Sequence, residues 1–187
     1  MIYFTSDLHF YHDNIIHHCN RPFWSAEDMN DNIIENWNSV VLPDDEVYIL
    51  GDVTMEGPEK AWQMLSQLKG IKYLIRGNHD GFVDNADWHQ YSWVFRWVKD
   101  YHELVWNNQK YILFHYPIEE WADFYKGAIH LHGHQHNKND YNLQQKQAKM
   151  QRYDVGVDAN EFRPVSLEAI VKFFEEMPMY FFNSDEG

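Results

Sequence analysis

Eight polar residues stand out by type and by place: Asp7 and His9, Asp52, Asn78 and His79, His115, and His134 and His136. Each set comes just after a short apolar run: Ile2–Ser6, Glu46–Leu50, Ile71–Ile75, Tyr111–Phe114 and Ala128–Leu131. Short apolar runs closed by polar or glycine-containing clusters read as buried strands. Loops beyond the carboxyl ends of such strands converge on one crevice, so groups scattered along the chain can share a site. Leaving His79 aside, the set comprises four imidazoles, two carboxylates and one amide oxygen. That exceeds the demand of a closed four-ligand zinc site and matches two divalent ions sharing a bridging carboxylate. Buried without partners, these groups would be costly, and coordination removes the cost. Two ions roughly 3.5–4 Å apart lower the pKa of a shared water toward ~7 and clamp the oxygens of a phosphoryl group during in-line displacement. The chemistry implied is phosphoester hydrolysis.

The elements that must position these residues follow from periodicity. Ser25 with Asp28 forms a capping signal ahead of Met29, Ile33, Ile34 and Trp37, which predicts a helix over about 26–39. Pro58 opens a second helix through about Leu68, closed by Gly70. Further strands are expected at Trp93–Val98, His102–Trp106 and Arg152–Val157, a short helix at Ile118–Tyr125, and a last helix at Ser166–Glu176 ended by Pro178. The Gln/Lys-rich stretch 137–151 reads as an exposed excursion, and 183–187 as a frayed end. Alternating strands and helices give an α/β layered fold with added antiparallel strands between about 93 and 114. The 187 residues suit a single domain spanning 1–187.

Composition narrows the partners. Fifteen Lys and Arg against 29 Asp and Glu give a formal charge of −14, which opposes a grip on long duplex nucleic acid through phosphate neutralisation. One Cys excludes an internal disulfide framework and favours a reducing, cytoplasmic setting. No run of residues approaches the length needed to span a bilayer, so no membrane partner is expected. The 17% aromatic content serves the core or subunit contacts, leaving self-association as a homo-oligomer open, with Trp24, Trp88 and Trp121 as conceivable base-stacking surfaces.

In this order the blocks Asp7-Leu8-His9, Gly51-Asp52, Gly77-Asn78-His79-Asp80, His115 and Gly133-His134-Gln135-His136 resemble the calcineurin-like metallophosphoesterases, whose pattern is D-x-H, G-D, G-N-H-D/E, a lone His and G-H-x-H. The match spans residues 7–136. It implies one metal on Asp7, His9, Asp52 and His136, a second on Asp52, Asn78, His115 and His134, and His79 as the histidine that contacts phosphate and protonates the leaving oxygen. It further implies a four-layer α-β-β-α sandwich of two mixed sheets flanked by helices. The metals would be two divalent ions, manganese first, with iron, zinc, cobalt or nickel as alternatives. The expected substrate is a phosphorylated small molecule or nucleotide, with a phosphodiester favoured over a protein phosphoester. Met55 stands where many relatives carry an Asp or His that orients the catalytic histidine. The chain therefore resembles small uncapped bacterial or phage-type phosphoesterases more than protein phosphatases.

Other residues admit plainer readings. Arg21 and Arg76 are candidate phosphate-binding groups, since a guanidinium binds phosphate oxygens bidentately, although Arg76 can equally pair with an acidic neighbour. His12, His17, His18, His130 and His132 read as structural or surface groups, with His132 the strongest candidate to support a ligand. Asp158 and Asn160 follow the last strand and read as turn residues before Pro164, with lining of the crevice rim as the alternative, and Cys19 reads as an inert thiol. Two competing functions remain at this level: a metal-binding interaction module without turnover, and a nuclease.

Overall fold

Short apolar segments from the first half of the chain line up side by side. In the computed structural model, which describes residues 1–138 and 140–175, Ile2–Thr5 (β1) pairs in parallel with Glu46–Ile49 (β2). Ile71–Ile75 (β3) and Phe95–Lys99 (β4) extend the sheet in parallel, and Val165–Ser166 (β9) closes its other edge antiparallel to β1, giving the order β4-β3-β2-β1-β9. A second sheet, ordered β5-β6-β7-β8, comprises the hairpin Tyr101–Trp106 (β5) and Gln109–Phe114 (β6), then Ile129–His132 (β7) and Arg152–Asp154 (β8) in parallel.

Side-chain alternation along the strands divides the core. Phe4, Tyr48, Leu50 and Ile75 from the first sheet meet Tyr111, Leu113, Ile129 and Leu131 from the second, with Leu167 and Ile170 of the last helix, Leu167–Glu175 (α5), joining them. On the opposite face of the first sheet, Tyr3, Val47, Ile49 and Leu74 pack against the apolar stripe of Ala26–Val40 (α2) and against Pro58–Leu65 (α3). The Ser25 cap forms as the sequence predicts, its hydroxyl accepting from the Asp28 N–H at 3.2 Å. Beyond the second sheet, Ile112, Trp121 and Ala128 make a smaller cluster. The result is two facing mixed sheets flanked by helices, as the motif resemblance implies.

Several local expectations are corrected. The stretch 118–125 is not a helix: left-handed backbone at Asp123 and Gly127 bounds a single 3₁₀ turn at Phe124–Lys126, and Trp121 Nε1 anchors the segment to the Ala128 carbonyl. Within 137–151, Tyr141–Gln147 forms a helix (α4), held because the buried Asn142 side chain exchanges hydrogen bonds with the Asp154 backbone. A further short helix, Asp13–His18 (α1), follows the first polar block. The strand expected from Trp93 starts at Phe95, because Ser92–Val94 forms a 3₁₀ turn. Pro178 as a helix stop and the frayed 183–187 lie outside the described residues. Among the described residues, no helix is long and apolar enough to cross a membrane.

The two sheets are stitched at one edge. Ser6, just after β1, bridges Gly156, just after β8, and the Val157 N–H donates to the Ser6 carbonyl at 3.0 Å. The polar blocks lie beyond the carboxyl ends of β1, β2, β3, β6 and β7, on this same edge.

Candidate metal centre

The loops after these strands turn sharply. Asp7, His9, Asp52, His134 and His136 all have positive φ, between 50° and 73°. Non-glycine residues rarely adopt that conformation, and such strain concentrates where surrounding structure holds functional groups in place. Two glycines make the close approach feasible. A Cβ on Gly133 would lie 2.1 Å from Ser6 Oγ and 2.4 Å from Asp7 Oδ2, and one on Gly51, whose φ is +97°, would lie 2.5 Å from His115 Nδ1.

The turns bring the scattered blocks together in two triads. One potential ligand atom from each of Asp7, His9 and His136 lies within 4.8 Å of the other two, and the same holds for Asp52, His115 and His134. Asp52 joins them, its Oδ2 lying 3.5 Å from His9 Nε2 and 3.5 Å from His115 Nε2. Asn78 Oδ1 is 3.0 Å from His115 Nε2, and His79 follows with its backbone N–H donating to Asp52 Oδ1 at 2.9 Å. The His79 ring lies 5.4 Å from that of His9, and Asn78, His79, Met55, Phe82 and Asn85 line a cleft of about 380 Å³.

The donor set is one that could hold a cation. His115 Nδ1 faces the Leu50 carbonyl at 2.7 Å and donates to it, which turns Nε2 toward the oxygens of Asn78 and Asp52. His136 Nδ1 likewise faces Asp158 Oδ2 at 2.9 Å. His9 Nε2 is buried without a hydrogen-bond partner, an orphan that a cation would satisfy. Burial pushes the Asp7 carboxyl up to about 7, with His136 and His115 pulling it down only in part. Burial also pushes Asp52 up, but hydrogen bonding and charge from His115, the His79 N–H and His9 outweigh it and hold that carboxyl at about 2.

Three buried carboxylates support the candidate ligands, and of these Asp80 alone belongs to a motif block. Asp158 is buried, pairs with Arg21 through two hydrogen bonds of 2.7 and 3.1 Å, and receives the His136 contact. Asp80 accepts backbone N–H groups from Asp52, Val53 and Gly77 at 2.7–2.9 Å, tying the second block to the third. Asp154 accepts from the Gly156 N–H at 2.7 Å and from the Asn137 amide at 2.8 Å behind Asp7. The signal for Asp158 was available, since it follows β8 as the other polar residues follow their strands.

The two arginines separate. The Arg21 side chain has no exposure, and its remaining donors go to the Asp7 and Leu8 carbonyls at 2.7 and 3.2 Å, so the expected phosphate contact is replaced by an internal brace. Arg76 pairs with Asp84 and lies 3.9 Å from Asp100. The turn reading of Asp158 gives way to this ion pair, whereas Asn160 does hold its turn, its amide donating to the Asp154 and Gly156 carbonyls. His130 and His132 take the structural role expected of them: His132 contacts the Gly133 carbonyl and Tyr141 hydroxyl rather than a ligand, and His130 is buried between the Ile112 and Tyr116 carbonyls. Cys19, His136 and Asp158 form a third cluster within 4.8 Å, but Arg21 and Lys138 already neutralise that carboxylate.

Comparison with known proteins gives relatives along nearly the whole chain. It is 37% identical over 177 residues to an uncharacterized protein of Methanocaldococcus jannaschii, MJ1445, covering 94% of this chain and 92% of that one. The crystal structure of AQ665 from Aquifex aeolicus, a protein of unknown function, superposes with TM-score 0.72 and 27% identity over 92% of this chain and 98% of its own. A looser likeness, TM-score 0.43 and 16% identity over 84% of this chain and 79% of the other, is to YfcE, a phosphoesterase from E. coli. No protein-family model matches the chain.

Proposed function

The chain belongs to the same family as the archaeal protein MJ1445, and on that premise we propose that it is a metal-dependent phosphoesterase of the calcineurin-like kind, acting on a phosphodiester of a small molecule or nucleotide. The observation that carries the reading is Asp52 Oδ2 standing 3.5 Å from one nitrogen of each triad, the position of a carboxylate shared between two cations. Burial of the carboxylates of Asp7, Asp52, Asp80, Asp154 and Asp158 at one sheet edge gives a setting that favours cations.

Asp7, His9, Asp52 and His136 would hold one ion, and Asp52, Asn78, His115 and His134 the other. When bound, the pair supplies Lewis acidity toward water and the phosphoryl oxygens. The chain's own residues do the rest. Asp52 anchors the His79 backbone at 2.9 Å, placing the ring beside the cleft, where it protonates the departing oxygen. With Arg21 buried and Arg76 paired to acidic neighbours, neither guanidinium is free to meet a dianionic monoester, which favours the singly charged diester.

The test compares bis(p-nitrophenyl) phosphate with p-nitrophenyl phosphate on Mn²⁺-loaded protein. Metal-dependent turnover that favours the diester is expected, and it falls about 10²–10⁴-fold in His79→Ala, the usual contribution of a general acid. Lack of turnover across Mn²⁺, Fe²⁺, Zn²⁺, Co²⁺ and Ni²⁺ would overturn the reading.

A further inference from the structure

We propose that the cleft beside His79 seats the alcohol that leaves the phosphorus, and that this alcohol is an uncharged nucleoside; the proposal rests on the phosphoesterase reading. Two bare backbone positions carry it. Gly57 precedes α3 and Gly81 opens a 3₁₀ turn, Gly81–Asp84, and both line the cleft with Asn78 and His79. Elsewhere near the centre close approach forces a glycine, since a Cβ on Gly51, Gly77 or Gly133 would lie within 2.5 Å of another residue's atom. At Gly57 and Gly81 a Cβ would meet nothing within 4 Å, and neither residue has the positive φ that favours glycine. Gly57, at φ −74° and ψ 174°, even stands where Ser, Thr, Asp or Asn would cap the helix, yet no side chain caps α3. The fold asks for neither glycine. The cleft that both of them line does.

The other walls indicate what fits that space. The cleft, about 380 Å³, falls in the roughly 300–1,000 Å³ range of small-molecule sites. Met55 offers it an exposed apolar side chain suited to the face of a flat ring. The turn that carries Met55 is fixed, since the buried Thr54 hydroxyl donates to the Phe10 carbonyl at 2.8 Å and accepts the Glu56 N–H at 3.1 Å. Asn85 Oδ1 accepts the Asp87 N–H at 2.9 Å, which leaves the amide NH₂ to donate to a hydroxyl or a base. Glu56 pairs with Lys60 at 3.1 Å, and among the described residues no Lys or Arg lines the cleft. A leaving group with a phosphate of its own would meet no cation there, whereas a nucleoside matches an apolar wall set among hydrogen-bonding groups. In hydrolysis the water oxygen bonds phosphorus and the P–O bond to the nucleoside breaks with its electron pair. The freed oxygen takes its proton from His79, which a proton from the water restores, so the nucleoside lies on the His79 side.

Thymidine 5′-(methyl phosphate) tests the assignment, because its two ester bonds give different products. With Mn²⁺-loaded protein the expected products are thymidine and methyl phosphate. Gly57→Val narrows the cleft from a position remote from His79 in sequence, and valine adopts φ −74° and ψ 174° without strain. It is expected to lower kcat/KM for this ester about tenfold and to raise the inhibition constant of free thymidine about tenfold. Release should shift at the same time toward methanol and thymidine 5′-phosphate, since the ester turned end for end puts only a methyl group in the narrowed cleft. The melting temperature is expected to stay near the parental value, because the Cβ meets no atom of the fold within 4 Å. Gly81→Ala is the second variant, expected to move product ratio and thymidine inhibition the same way by a smaller factor. Three results would overturn the proposal: methanol and thymidine 5′-phosphate from the parent, hydrolysis of bis(p-nitrophenyl) phosphate with no release of thymidine from its ester, or parental product ratio and thymidine inhibition in both variants. Failure of the phosphoesterase reading looks different, as a parent that hydrolyses neither ester.

Discussion

Around Asp7, His9 and His136 the supports are mostly side chains, the His134 N–H on the Asp7 carboxylate at 2.9 Å excepted, whereas around Asp52, His115 and His134 they are mostly main chain. In the first half, the Asp158 carboxylate takes the His136 Nδ1 contact at 2.9 Å and is itself clamped by Arg21, whose other donors hold the Asp7 and Leu8 carbonyls. In the second, His115 rests on the Leu50 carbonyl, Asp52 takes the His79 N–H, and Asp80 gathers three backbone N–H groups. A main-chain support comes with the strand ends and survives most substitutions. A side-chain support is one residue deep, and a single substitution removes it.

The largest effect is expected where the halves meet. Asp52→Asn weakens the shared carboxylate and so removes the distinction between them; metal content per chain should fall for both positions, and kcat/KM by at least about 10³-fold, near 4 kcal/mol of barrier. Elemental analysis of the purified variant decides this: two ions retained at parental affinity would contradict a bridging role. Asp158→Asn should instead act on one half, lowering the affinity of the tighter or weaker ion, but not both, by about 10–100-fold. Because it leaves Arg21 buried with its partner weakened, it should also lower unfolding stability by up to about 3–5 kcal/mol in urea melts, the range for breaking a buried pair. Equal weakening of both ions would erase the proposed asymmetry. On the other side, Asp80→Asn keeps two acceptor sites but introduces an amide donor among three N–H groups, and should cost about 1–3 kcal/mol in stability.

The same contrast explains what could be read in advance. Main-chain supports follow the strands, and strands show as apolar runs, so the polar groups after β1, β2, β3, β6 and β7 were visible as a set before any coordinates. The Arg21–Asp158 pair joins positions 137 residues apart, and no local pattern announces such a partner. Asp158 also stands shortly before Pro164, where a turn residue is the ordinary reading. The helix at Tyr141–Gln147 was hidden for a similar reason: its hold on the fold is polar, through Asn142 and the Asp154 backbone, in a segment whose composition suggested solvent.

Removing the metals should expose the contrast through pH. Asp7 is pushed up to about 7 by burial, whereas in the unfolded chain it titrates near 4. Between those values the folded state binds more protons than the unfolded one, so stability of the metal-free protein falls as pH rises, by up to ~1.4 kcal/mol per pH unit from this group. Asp80 and Asp154, each raised to about 6 by burial, add to the same fall. Asp52 has the opposite sign: held at about 2, its contribution is present above pH ~4 and is lost as pH drops toward 2. Buried His9, His130 and His132, depressed by burial to about 2, 3 and 3, push the other way, so the expectation is differential. In urea melts of EDTA-treated protein from pH 4.5 to 7, Asp7→Asn should gain stability relative to the parent as pH rises, and Asp52→Asn should not. Saturating Mn²⁺ should reverse the trend, because the cation binds the deprotonated Asp7 and favours the folded state more strongly as pH rises. A parental slope unchanged by Asp7→Asn would mean that this carboxylate is already paired without metal, and that the side-chain-braced half does not need a cation to complete it.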